Sequence, residues 1–134
     1  MDEFEAEWLR LQEDGLKDSP LRREYERKVA ALAALPQQLA AEGKTEEQIA
    51  RIMHETRRAL GKEYKLAAPP LFRAYIYAAT AARYGNPLGP TFDMLCETKS
   101  HRQIIDSASR PIGDLDDRLT KDGFRAWYLA QKKQ

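Results

Sequence analysis

Apolar residues recur along most of this chain at intervals of three and four, the spacing that places them on one face of an α-helix. Phe4, Trp8 and Leu11 form the first such stripe, with Gly15 as its expected stop. Ser19 followed by Pro20 reads as an N-cap with proline in the first turn, and the helix it opens carries Leu21, Tyr25, Val29 and Leu32 on one face. Pro36 has no N–H to donate, so this helix is expected to kink or end near Leu35. Thr45 and Gln48 bracket a capping box, after which Ile49, Ile52, Met53 and Leu60 continue a stripe expected to close at Gly61. Pro69 and Pro70 then break the chain. Phe72, Tyr75, Ile76 and Ala79 mark the next helix, and Gly85 is expected to cap it in the left-handed conformation. Phe124, Trp127 and Tyr128 repeat the spacing near the end. Period-two alternation is missing and β-branched residues are sparse, which argues against strands. The pattern predicts an all-α, compact single domain of six or seven helices over residues 1–134, with charged N-terminal helices in 1–43 and the core in 44–134.

Composition narrows the function classes. The 134 residues are enough for one domain with a sizeable core, and 43% hydrophobic with 32% charged residues is ordinary for a soluble globular protein. The net charge of +1 means that any basic site must be local. A single cysteine, Cys96, excludes an internal disulfide. No apolar run reaches the length of a membrane span, and the acidic start MDEFEAEWLR is unlike a signal peptide. Export is therefore expected to need a carrier, and the fold is expected to operate in cytosol.

Tyr84 to Pro111, YGNPLGPTFDMLCETKSHRQIIDSASRP, differs from the rest of the chain by concentrating turn residues, the cysteine and one of two histidines. Gly85-Asn86-Pro87 ends one helix and Gly89-Pro90-Thr91 begins another, with Phe92, Leu95 and Cys96 expected to face the core. Ser100 and Gln103 form a second capping box, and Ile104, Ile105 and Ala108 are expected to bury the short helix that follows. Arg102, Asp106 and Arg110 fall at i, i+4 and i+8 of that helix, a carboxylate between two guanidiniums. His101 lies in its first turn, where outward backbone N–H groups favour an anion, so Ser100, His101 and Arg102 are candidates to receive a phosphate. The preceding helix offers Arg73, Tyr77, Thr80 and Tyr84 on one face, a composition suited to gripping a nucleic-acid backbone and stacking a base. This constellation fits RNA cleavage by the 2′-hydroxyl. His101 would move the proton, Arg110 would stabilise charge on phosphorus, and Asp106 would orient a guanidinium. Arg73, Tyr77, Tyr84 and Arg102 would hold the substrate.

Each signal has a plainer reading. Arg102–Asp106–Arg110 is also the pattern of a solvated ion-pair ladder, and His101 of an ordinary first-turn residue. Tyr77 and Tyr84 read equally as tyrosines at the core edge. His54, beside Arg57 and Arg58 in RIMHETRR, reads as solvated, and Cys96 as a buried small hydrophobe. Asp114 to Asp117 invites a calcium reading but lacks the glycine and the closing glutamate of such a loop. Nothing matches a zinc site, a phosphate-binding glycine loop or a serine-hydrolase elbow, so neither metal nor cofactor is expected.

IYAATAARYGNPLGPTFDML followed by KSHRQIIDSASRP resembles the closing segment of C-terminal toxin domains of bacterial polymorphic toxins of the contact-dependent inhibition and Rhs types. RRALGKEYKLAAPPLFRAYIYA is also similar, so the resemblance spans roughly residues 45 to 115. This chain departs from the pattern by continuing through Asp114 to Gln134. The resemblance implies an effector domain cut from a larger secreted carrier, with Met1 then a start introduced by that excision. It implies delivery to the target-cell cytoplasm and neutralisation by a cognate immunity protein. Joined to the arginine and histidine pattern, it leads to the expectation of a metal-independent ribonuclease acting on RNA or tRNA. A non-catalytic helical interaction module, adaptor or immunity-like, is the alternative from another class. An enzyme acting on a nucleotide is a third.

Overall fold

The protein is described here by a computed structural model covering residues 2–14, 19–110 and 120–133. Eight α-helices occupy those residues: α1 (Glu3–Asp14), α2 (Pro20–Ala31), α3 (Leu35–Ala41), α4 (Glu46–Ala67), α5 (Pro70–Tyr84), α6 (Phe92–Cys96), α7 (His101–Ala108) and α8 (Lys121–Lys132). A single 3₁₀ turn, Leu32–Ala34, joins α2 to α3, so the pair reads as one bent rod and leaves seven helical bodies. No strand occurs among the described residues, and the fold is all-α. Gly15, Pro111 and the Asp114–Asp117 acidic run lie outside the described residues.

The caps follow from the chain's own side chains. Ser19 Oγ accepts from the Arg22 N–H at 3.1 Å and opens α2. At the start of α4, Thr45 Oγ1 accepts from the Gln48 N–H at 3.1 Å while Gln48 Oε1 accepts from the Thr45 N–H at 2.9 Å. Ser100 and Gln103 repeat that reciprocal pair on α7. Each box satisfies two N–H groups that a helix start otherwise leaves unpaired. Pro36 acts as expected, interrupting the rod and then standing in the first turn of α3, where a missing N–H is harmless.

Two apolar clusters hold these helices together, and α4 runs through both. One is aromatic: Phe4, Tyr64, Phe72, Tyr75, Phe124 and Tyr128 pack together, with Trp8 and Trp127 against them. Phe124 is fully buried, and its ring lies 5.7 Å from Phe4 and 5.3 Å from Tyr75. The other is mostly aliphatic: Leu39, Ile49, Ala50, Met53, Ile104, Ile105 and Ala108 close around Phe92. Residues on both sides of position 43 enter each cluster, so the cores do not follow the division between charged N-terminal helices and the rest. Salt bridges from Lys121 to Glu5 at 3.0 Å and from Lys132 to Glu3 at 2.8 Å fasten α8 along α1.

Three expectations are corrected. The helix over RIMHETRR continues past Gly61 to Ala67, because buried Tyr64 and Ala68 anchor its second half and outweigh the roughly 1 kcal/mol that an interior glycine costs. Cys96 is exposed. Its helix is only five residues long, and Phe92 with Leu95 takes the narrow face turned to the core. His54 is half-buried and hydrogen-bonded rather than solvated.

Candidate functional site

The turn-rich segment shapes one wall of a cleft. Gly85 ends α5 with φ of 73°, and its N–H reaches the Ala81 carbonyl at 2.8 Å. Asn86 Oδ1 then accepts from the Leu88 N–H at 2.9 Å, and Gly89 adopts φ of 91°, a left-handed conformation that side-chain-bearing residues rarely hold. This path delivers the Pro90 carbonyl to α4, where His54 Nε2 lies 2.7 Å away. A carbonyl only accepts, so Nε2 carries the hydrogen and the neutral ring keeps its lone pair on Nδ1. Burial is the main cause that lowers the His54 pKa, with Arg58 and Arg57 adding to it, while the Pro90 hydrogen bond opposes them. The imidazole is therefore neutral at pH 7.

His54 lines a cleft of about 430 Å³ between α2, α4, the α5 end and α7. Arg57, Arg58 and Lys65 contribute from α4, Arg22 from α2, Lys99 from the turn before α7, and Arg110 from beyond its end. Tyr25, Tyr64 and Tyr84 supply aromatic surface, and Gly61 leaves the α4 wall low. Among the described residues, no aspartate or glutamate lines it.

The cations differ in how they are held. Arg22 is 2% exposed, pairs with Glu26 at 3.1 Å, and lies over the Tyr25 and Tyr64 rings at 4.9 and 5.2 Å. Arg57 Nη1 donates to the carbonyls of Ser107 and Ala108, each at 3.1 Å, and to that of Arg110. It thereby satisfies acceptors that the end of α7 leaves open. Lys65 is 8% exposed and forms no ion pair or hydrogen bond among the described residues; its ammonium lies 6.0 Å from the centre of the Tyr77 ring. Burial, reinforced by Arg58, pushes its pKa down to about 8. Arg58 Nε is itself buried without a hydrogen-bond partner.

The residues singled out from sequence are divided by the fold. Arg102, Asp106 and Arg110 do come together, along a separate cleft of about 720 Å³ between α3 and α7. Arg102 and Asp106 meet at 3.6 Å with side chains 69% and 50% exposed, the geometry of a solvated pair. Lys44 and Glu46 face the same cleft, so its charge is mixed. Arg110 borders both clefts, and Tyr84 borders the basic one. His101 borders neither. Its ring stacks on Phe92 at 6.1 Å and 14°. Arg73 and Tyr77 are half-buried on α5 and line neither cleft. The fold therefore does not assemble His101 with Arg73, Tyr77 and Tyr84 around one point.

The basic residues of α4 were missed by reading charge as exposure. One signal was present: Lys65 falls four positions after Gly61 and three before Ala68, inside the stripe that also holds Tyr64. A lysine within an apolar stripe marks either a buried charge or a site. Among the described residues, no group of three or more His, Cys, Asp or Glu is placed to hold a metal ion, and no helix is long and apolar enough to cross a membrane. Comparison of the chain with protein-family models, with curated proteins and with solved structures found no match.

Proposed function

We propose that this chain is an interbacterial toxin effector domain that acts in the target-cell cytosol as a metal-independent ribonuclease, with its reaction in the basic cleft. The observation that carries the reading is the convergence of Arg22, His54, Arg57, Arg58, Lys65, Lys99 and Arg110 on one cleft, with no carboxylate lining it among the described residues. Such a surface attracts a polyanion, and the half-buried Tyr84 ring that borders it is aromatic surface of the kind a base packs against. The resemblance of residues 45 to 115 to polymorphic-toxin domains supports the biological setting. In that setting a carboxylate-bearing immunity protein neutralises the domain by covering the same cations.

The chemistry follows from the His54 tautomer. With Nε2 donating to the Pro90 carbonyl, Nδ1 is the basic nitrogen and takes the proton of a ribose 2′-hydroxyl. The 2′-oxygen bonds to phosphorus, the bond to the 5′-oxygen breaks, and the imidazolium returns its proton to that leaving oxygen. The products are a 2′,3′-cyclic phosphate and a 5′-hydroxyl. Guanidinium and ammonium groups stabilise the charge gathered on the phosphoryl oxygens in the transition state.

Inducible expression in bacteria, followed by gels of total RNA, tRNA and DNA, tests the reading. Wild type is expected to arrest growth and fragment RNA, His54→Ala to leave RNA intact, and His101→Ala to retain cleavage. Intact RNA with the wild-type chain defeats the ribonuclease reading in favour of an interaction module. Cleavage lost only in His101→Ala returns the site to α7.

A further inference from the structure

We propose that Lys65 and Arg58 form a pocket for a phosphoryl dianion, built to hold the terminal phosphate of a nucleotide or oligonucleotide. The pocket deepens the ribonuclease reading and rests on it only for the identity of the molecule that carries the phosphate.

Three observations lead there. Lysine is almost never as buried as Lys65 without a partner, and here neither a carboxylate nor a carbonyl answers it among the described residues. Arg58 stands seven positions earlier on the same face of α4, with a buried Nε that finds no acceptor. Both line the basic cleft, which is open enough to admit a ligand. The neighbouring cations make the contrast plain, since Arg22 has Glu26 and Arg57 has the α7 carbonyls. Two adjacent uncompensated positive charges match a monoester dianion better than the single charge of an internal phosphodiester.

Without a ligand this arrangement opposes folding, because desolvated ammonium and guanidinium groups repel each other. The depressed Lys65 pKa, about 8, reflects burial first and that repulsion second. A bound dianion reverses it, so binding above that pH takes up a proton. The half-buried Tyr84 ring borders the same cleft, aromatic surface of the kind a nucleoside attached to the phosphate packs against.

Calorimetric titration with inorganic phosphate, at constant ionic strength against chloride, is the first arm. The second compares 5′-phosphorylated and 5′-hydroxyl 2′-deoxy dinucleotides, which cannot be cleaved through a 2′-hydroxyl. Phosphate is expected to bind, and the 5′-phosphorylated dinucleotide to bind about tenfold more tightly than its 5′-hydroxyl counterpart. Lys65→Met should lose about tenfold or more in phosphate affinity while melting above the wild type, and Arg58→Gln should lose affinity as well. Phosphate no better than chloride, or wild-type affinity retained in Lys65→Met, overturns the pocket. Binding of free phosphate with no gain from the phosphorylated dinucleotide overturns the terminal-phosphate assignment. Phosphate bound by a chain that leaves RNA intact defeats the ribonuclease reading alone; RNA cleaved by a chain that binds no phosphate defeats this pocket alone.

Discussion

The aromatic and aliphatic ends of the molecule solve the same packing problem differently, and the gap between them is where half-buried and buried cations collect. At the aromatic end, rings from α1, α4, α5 and α8 meet in stacked and edge-on pairs centred on Phe124. At the aliphatic end, α7 lies along α4 and branched side chains fill the seam. Helix α4 gives Ile49, Ala50 and Met53 to one core and Tyr64 with Ala68 to the other. Between Met53 and Tyr64 it presents His54, Arg57, Arg58 and Gly61 to the basic cleft. A long helix shared by two cores has a middle stretch whose cations can be held half-buried without filling either core. The α7 ladder, on a helix whose inner face is fully used, stays at the solvent surface.

The largest effect should come from the aromatic end. Phe124→Ala removes the ring at its centre and should destabilise by about 3–5 kcal/mol in denaturant unfolding. Trp127→Ala should cost less, about 2 kcal/mol, because Trp127 is only partly buried. Equal losses would show that α8 is held by its rim rather than by Phe124. Next comes the tie between the ends: Arg57→Met leaves the α7 carbonyls unanswered and should cost about 2 kcal/mol by the same measurement. A neutral result would mean that α7 is fixed by its apolar face alone.

One substitution should instead raise stability. The folded pKa of Lys65, about 8, lies below the ordinary value of 10.5, so between these pH values the unfolded chain binds more protons than the folded one. The penalty is complete below about pH 8 and is relieved as the pH climbs toward 10.5. That contribution to the melting temperature should rise across the window and vanish in Lys65→Met, which should be more stable near neutrality by about 1–3 kcal/mol. A difference between the two proteins that does not change across the window would contradict a buried ammonium.

Much of the fold was legible because it is written in local patterns. Ser19, Thr45, Thr91, Ser100 and Gly85 all cap where their residue types place them. Phe72, Ile104 and Phe124 are buried where helical spacing puts them. Charge was less legible. His54 differs from a solvated histidine through a carbonyl 36 residues away, and Arg57 through acceptors 50 and 51 residues away. Arg102 and Asp106 were correctly placed side by side, yet their spacing carries no information on whether solvent or a ligand surrounds them.

In the proposed function, polyanions bind between the two cores and not along α7. Anisotropy of a 5′-phosphorylated 2′-O-methyl RNA with a 3′ fluorophore, which cannot be cleaved at the 2′ position, measures this directly in wild type, Lys65→Met, Arg58→Gln and Arg102→Gln. Affinity is expected to fall about tenfold or more in the two cleft variants and less than about twofold in Arg102→Gln. Loss confined to Arg102→Gln, with Lys65→Met and Arg58→Gln binding as wild type does, would contradict it.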